Sequence, residues 1–437
     1  MVSTDLKKSV SDVGCQYMVV DLGGGTADIS VHEKKADGSL KEIHKASGGP
    51  WGGTAVDKNY FDWLTTLFGE GTMKRFKKEQ MADYFDVQRE FEIKKRNITT
   101  NSEGKITFRV SASLREIYQE VENSDLKRKV RYMGLADKVT FTSDKLRLDV
   151  SIVRGWFKVP IKEIVAHVKH LLVERKMKYV QRILLVGGFG ECQLVHEELK
   201  RNIPNKTIII PNEAGLAVLK GAVRFGHMPN VVSSRVMKYT YGVSVVRVND
   251  KESLPNSDNE DNYSLTNNCS ESDEEKLSFG AFLPDDLEAL YGSGSDEEYN
   301  ELHYGKHFGS SQRCLDSQSN TDEESDTDEN VTKDVFDKFV EVGDEIPVGH
   351  EVRRVYTPMN PRIGELPVYC TSDPHPQFVT DPGCEQLGIL SIEFPDGKTC
   401  EDNKSMVTLV FGDTELVVKA KILRTGLEFL TKIDCLK

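Results

Sequence analysis

Asp21-Leu22-Gly23-Gly24-Gly25-Thr26-Ala27-Asp28 decides how this chain is read. Gln16-Tyr17-Met18-Val19-Val20 enters it as a short apolar strand, and Ala27, Ile29 and Val31 leave it alternating with polar neighbours, as a half-buried strand does. Three glycines between two strands form a tight turn. With no Cβ in the way, their N–H groups can converge on phosphate oxygens. The Thr26 hydroxyl is placed to donate to a terminal phosphate, and Asp21 and Asp28 to hold water on a magnesium ion. In a P-loop the turn feeds a helix; here it feeds a strand. A glycine-rich hairpin without a ligand shows the same pattern, so the motif needs company.

Company lies on both sides. Asp37-Gly38 turns the chain back into a strand over Leu40–Ala46. Thr54 and Asp57 make a capping box, followed by Val56, Tyr60, Trp63, Leu64, Leu67 and Phe68 at helical spacing. Gly48-Gly49-Pro50-Trp51-Gly52-Gly53-Thr54 thus forms a loop before a helix N-terminus, where Gly52 and Gly53 can approach phosphates. Pro160 is expected to open a second helix, through Leu172. Ile183–Val186 reads as a buried strand that ends in Gly187-Gly188-Phe189-Gly190, 164 residues after Gly23. Such a turn lets an adenosine lie close to the backbone. Glu92, Lys95 and Arg96 share one face of a helix and are candidates for ribose and base contacts; a plain solvated face has the same spacing. Helices over Glu191–Arg201 and Glu213–Phe225, with a strand over Thr207–Ile210, complete an α/β domain across residues 1–230. His32 and His44 read as ordinary strand residues and Trp51 as a packed loop aromatic.

At 437 residues the chain is long for one domain. Residues 231–249 read as a linker and a first β strand. Residues 250–330 hold 23 Asp/Glu against 4 Lys/Arg, a net of −19, which leaves +6 for everything else. That segment is too polar to bury a core and is expected to be disordered. Its one apolar island, Leu277–Tyr291, reads as a collapsed spot or a short interaction helix. Ser272, Ser295, Thr321 and Ser325 precede acidic runs, as sites of an acid-directed kinase do. Residues 331–437 alternate in short runs separated by Pro, Gly and Asp, the pattern of an antiparallel β domain.

The dispersed +6 argues against nucleic acid. No apolar run approaches the roughly 20 residues that span a bilayer. Met1–Lys8 has no apolar core, so no signal peptide is expected. Eight cysteines lie scattered without a C-x-x-C pair, which points to a reducing, cytoplasmic setting rather than zinc or disulfides.

The ordered set of motifs resembles the actin/hexokinase/heat-shock ATPase superfamily, and closely the 70-kilodalton heat-shock protein family. DLGGGTAD (21–28) is similar to that family's second phosphate loop, and GGPWGGTAVD (48–57) to its Gly-Gly loop. FEIKKR (91–96) resembles the helix that touches adenosine and ILLVGGFGE (183–191) the adenosine loop. IIIPNEAGLAVLKGAV (208–223) resembles the closing strand and helix, which brings Asn212 into the candidate set. YTYGVSVV (239–246) and TLVFGDTELVVKAKI (408–422) resemble parts of the family's β substrate-binding domain. SGGPWGGTAVD, LLVGGFGE, KDVFDKFVEVGDE and FVTDPGC are closer still to its divergent type-12 branch.

The resemblance implies an α/β fold, the actin-like, ribonuclease H-like second lobe of the ATPase, followed by a C-terminal antiparallel β domain. It implies ATP or ADP with magnesium, held by Asp21, Gly23, Gly24, Gly25, Thr26, Gly52, Gly53, Glu92, Lys95, Arg96, Gly187, Gly188, Phe189 and Asn212, with Asp21 and Asp28 serving the metal through water. Only about 14 residues precede the strand into Asp21, so the family's first lobe, with its own phosphate hairpin, is expected to be absent. The expectation is a chaperone-related, stress-response protein that binds client or partner proteins through its β domain. Nucleotide binding is weak and hydrolysis negligible unless a partner chain supplies the missing lobe. The alternative is a non-chaperone scaffold that recruits basic partners through the acidic segment. A sugar kinase on the same fold would need a sugar-binding Asp base and the first phosphate hairpin, and neither is found.

Overall fold

The structure is a computed structural model that describes residues 12–248, 277–279, 331–395, 398–412 and 415–434. The chain divides into two units, Met1–Lys238 with Val342–His350, and Tyr239–Glu341 with Glu351–Lys437.

In the first unit, β1 (Gln16–Leu22), β2 (Ala27–Lys34) and β3 (Leu40–Gly49) form an antiparallel meander. β7 (Val180–Val186) lies parallel to β1, and β8 (Thr207–Ile209) parallel to β7. The sheet order is β13-β9-β3-β2-β1-β7-β8. β1 lies inside the sheet between β2 and β7, and Met18, Val20 and Leu22 on one of its faces are fully buried. β9 (Val232–Val236) joins the far edge, and β13 (Glu345–Pro347) pairs with it. Residues 342–350 therefore belong to the first unit, a return that chain order alone assigned to the β domain.

Helix α1 (Gly53–Phe68) follows β3, then α2 (Glu70–Glu79) and α3 (Met81–Arg96). A three-stranded sheet, β4 (Lys105–Arg109), β5 (Val139–Thr142) and β6 (Lys145–Asp149), encloses α4 (Ala112–Glu122) and α5 (Leu126–Tyr132) along the chain. α6 (Val150–Leu172), α7 (Gln193–Asn202) and α8 (Ala214–His227) complete the unit. Pro160 lies inside α6 instead of opening it. The start is set by Asp149, whose carboxylate accepts from the Ser151 N–H at 2.9 Å. Proline removes the N–H that would bond the Trp156 carbonyl. Asn59 Nδ2 fills that vacancy, donating to the Trp156 oxygen at 2.7 Å, so the helix continues through the proline.

The second unit is a sheet in the order β16-β15-β10-β11-β14-β17-β18-β19, with β12 also paired to β10. Its strands are β10 (Thr240–Val248), β11 (Leu277–Phe279), β12 (Val331–Val340), β14 (His350–Pro358), β15 (Ile363–Thr371), β16 (Glu385–Glu393), β17 (Ser405–Phe411), β18 (Glu415–Ile422) and β19 (Glu428–Asp434). End strands β16 and β19 lie against each other, so the sheet nearly closes. Leu277–Phe279 is neither a helix nor a loose spot. Phe279 is fully buried, with its ring edge-on to Tyr356 at 6.3 Å. The remainder of 250–330, including the disorder and phosphorylation expectations, lies outside the described residues. No helix among the described residues is long and apolar enough to cross a membrane.

Candidate functional site

Two aromatic rings set the site. Tyr60 of α1 stacks on Phe91 of α3 with centroids 4.0 Å apart and planes 8° from parallel. Asp57 lies about one turn before Tyr60, and Lys95 about one turn after Phe91, so the stack brings their side chains together. Lys95 Nζ sits 2.6 Å from Asp57 and 2.5 Å from Glu92, and donates to the Gly53 carbonyl at 3.3 Å. Lys95 is 8% exposed, which excludes a plain solvated face. Arg96 is exposed and pairs with Glu92 at 2.8 Å. Burial raises the Asp57 carboxyl above the usual range despite the bond from Lys95. Burial opposes ionisation of Glu92 too, but hydrogen bonds from Lys95 and Arg96 prevail and hold it low.

The glycine turn docks onto the start of α1. Gly23 N–H donates to the Thr26 carbonyl at 3.0 Å and closes the turn. In the other direction Gly52, Gly53 and Thr54 donate their N–H groups to the carbonyls of Gly25, Gly23 and Gly24 at 3.2, 3.1 and 2.8 Å. The Thr54 hydroxyl also donates to the Gly24 oxygen, at 2.9 Å. The capping box is therefore not formed: the N-cap is Gly52, no side chain caps it, and turn carbonyls satisfy the first N–H groups instead. A Cβ on Gly52 would stand 2.3 Å from the Gly24 oxygen, so this approach requires glycine. Gly24 and Gly25 are exposed, and among the described residues no hydrogen bond engages their N–H groups.

On the far side, Gly187 has φ +80°, and a Cβ there would meet Asp21 Oδ1 and the Leu22 carbonyl at 2.4 Å. Asp21 and Asp28 are cross-strand partners. Burial, then the neighbouring Asp28, raises the Asp21 carboxyl. The Thr26 hydroxyl donates to Asp28 Oδ2 at 2.7 Å. Among the described residues, no third His, Cys, Asp or Glu joins the pair in a metal-binding group.

A cavity of about 360 Å³ lies between these parts. Of the residues expected from sequence, Gly23, Gly24, Gly53, Glu92, Lys95, Arg96, Gly188 and Phe189 line it. Asp21, Gly25, Thr26, Gly52 and Gly187 shape the turns around it, and Asn212 is exposed in the turn before α8, off the lining. Sequence reasoning missed Thr54, Asp57, Phe157, Glu191 and Cys192. Asp57 was visible as the acid one turn before a core aromatic, and Glu191 and Cys192 follow the second glycine turn directly. Phe157 carried no signal beyond its place on an apolar stripe. Glu191 also anchors α8, accepting from the Gly215 N–H at 2.9 Å.

This donor set suits a nucleotide. The N–H groups of Gly24 and Gly25 are open to phosphate oxygens, Asp21 and Asp28 are a carboxylate pair of the kind that holds hydrated magnesium, and Gly188, Phe189, Lys95 and Arg96 line the cavity together. The cavity falls in the range of small-ligand sites, about 300–1,000 Å³.

Comparison with known proteins agrees with this geometry. The family model "Hsp70 protein" matches residues 7–247. Human heat shock 70 kDa protein 12B is 26% identical over 436 residues, covering 97% of this chain and 54% of the relative. Human heat shock 70 kDa protein 12A is 27% identical over 95% of this chain and 54% of its own length. Chaperone protein DnaK of Mycoplasmopsis synoviae is 22% identical over 53% of this chain and 36% of its own. The chain thus spans about half the length of the type-12 relatives it matches. A solved structure of a non-polymerisable ParM quadruple mutant aligns with half of the chain at 14% identity and a TM-score of 0.28; the fold assignment rests on strand order instead. With a family model covering more than half of its residues and curated type-12 relatives matching nearly all of them, this chain belongs to the Hsp70 family, on the side of its type-12 branch.

Proposed function

We propose that the first unit binds adenine nucleotide with magnesium weakly, with little or no hydrolysis, and that the second unit binds client or partner polypeptides in a chaperone-related role. One observation carries the nucleotide half: Gly24 and Gly188, far apart in sequence, line the same cavity beside buried Lys95. Weakness follows from exposure. Gly24, Gly25, Thr26 and Asp28 all face solvent, where contacts to phosphate are screened. Helix α8 supports a facing surface supplied from outside the described residues, such as a partner chain. Only Ala214 on it is buried, while Leu216, Val218, Leu219 and Val223 are 45–63% exposed. Among the described residues Cys192, Cys384 and Cys400 are free thiols, which fits a cytoplasmic protein.

Titration of the chain with fluorescent ATP tests the proposal. Saturable binding weaker than about micromolar is expected, abolished by Gly188→Val, which adds bulk where a Cβ meets nothing within 4 Å. Affinity tighter than that, or steady turnover, overturns the weak-binding reading; binding untouched by Gly188→Val overturns the site. Deleting residues 280–330, which leaves β11 in place, tests the second unit: retained binding of unfolded peptide supports the chaperone role, and loss of all partners supports a scaffold.

A further inference from the structure

A second, larger cavity of about 900 Å³ lies along α6 and α7 of the first unit. Its floor is apolar: Phe157 and Ile161 are 1% and 5% exposed, and Leu194 is half-buried. Its rim carries five cations, Arg154, Lys158 and Lys162 from α6 and Lys200 and Arg201 from α7, against two carboxylates, Glu197 and Glu198 of α7. Three of these cations are committed. Arg154 donates to the carbonyls of Thr99, Thr100 and Ser102; Lys200 pairs with Glu197 at 3.7 Å; Arg201 pairs with Glu198. Lys158 and Lys162 are exposed, and neither has a hydrogen bond or ion pair among the described residues.

The spacing of the two free ammoniums defines the occupant. They are four residues apart on one helix, so they stand about 6 Å apart along its axis. Carboxylates one turn apart on a facing helix repeat at the same interval. A trough between two packed helices also accepts the ridge of a third. We infer that this groove docks an acidic amphipathic helix of a partner polypeptide. Apolar side chains at i, i+3 and i+7 of that helix fill the floor over Phe157, Ile161 and Leu194, and its flanking carboxylates pair with Lys158 and Lys162. The inference does not rest on the nucleotide reading.

The test uses the full chain and a fluorescein-labelled 18-residue peptide, helical in design, with Leu at i, i+3, i+4 and i+7 and Glu on both flanks. Saturable anisotropy is expected. Binding should weaken at least tenfold in the Lys158→Glu/Lys162→Glu variant, and at least tenfold when the peptide's Glu are replaced by Gln. Both lysines are exposed, so circular dichroism of the variant should match the parent. Restoration of binding to that variant by a Lys-flanked peptide would confirm the pairing. Failure of the Glu peptide to bind, or equal binding to the reversed variant, overturns the inference. A chain lacking residues 280–330 that binds the peptide tenfold tighter would show the groove filled by the protein's own acidic segment, and would also overturn it. A peptide that competes with self-association would assign the groove to a second copy instead.

Discussion

In the first unit β1, β2 and β3 follow one another in the chain and pair in that order, whereas β10 of the second unit takes β11, β12 and β15 as neighbours, drawn from within and beyond the acidic segment. The first core is held by one aromatic knot (Tyr60, Phe91, Phe108 and Trp156) with buried polar groups tied into it. The second is a wrapped sheet in which a single inserted side chain, Phe279, fills space against Tyr356 and Gly364. The first unit also has long-range pairings, β1 with β7 and β3 with β9, but its meander closes locally within residues 16–49. Long-range pairing makes the second depend on residues that sit inside an otherwise polar stretch.

That contrast can be broken by experiment, because all three tryptophans (Trp51, Trp63 and Trp156) lie in the first unit. Tryptophan fluorescence therefore follows one unit while circular dichroism follows both. The largest effect is expected from Phe279→Ala, about 4 kcal/mol from loss of a fully buried ring; the circular dichroism transition should shift in urea with the fluorescence transition unmoved. A common shift of both would show that the units unfold together.

Lys95→Met should act on the other unit, removing about 3 kcal/mol by leaving Asp57 and Glu92 without their shared cation. Here fluorescence should move and the β-rich signal should lag.

Acid should sharpen the same distinction. Burial, then the nearby Arg235, pushes the His32 imidazole down to about 4, and its Nδ1 is buried without a hydrogen-bond partner. The unfolded chain takes up that proton near pH 6.5 while the folded one refuses it. Stability from this group is therefore complete above about pH 6.5 and falls as pH drops toward 4, by about 2 kcal/mol at pH 5. Urea midpoints by fluorescence at pH 7 and pH 5 check this, and His32→Leu should flatten the difference. The smallest effect belongs to Asn59→Ala, about 1 kcal/mol, for a carbonyl left open beneath Pro160.

How much of this was legible follows the same division. The strand–glycine–strand reading of 16–31 and the second glycine turn are both local patterns, and both stand as structure. Pro160 misled because a proline is ordinarily read as a helix start; the side chain that lets α6 run through it lies a hundred residues earlier, on α1. Thr54 and Asp57 fit a capping box by spacing, but a facing loop supplied the carbonyls and a buried lysine claimed the acid. Phe279 and residues 342–350 were unreadable for one reason: a short strand's partner is fixed by tertiary register, not by its own composition. Within the site, backbone positions were easier than side chains, since glycines advertise close approach whereas Asp57 and Phe157 acquire their roles only through packing.

Phe157 lines both the small cavity beneath the glycine turns and the broad basic trough on the other side. One phenyl ring is thus a party wall with two tenants. Any occupant that tilts it from one side changes the floor plan of the other, and evolution cannot enlarge either room without renegotiating the boundary of its neighbour.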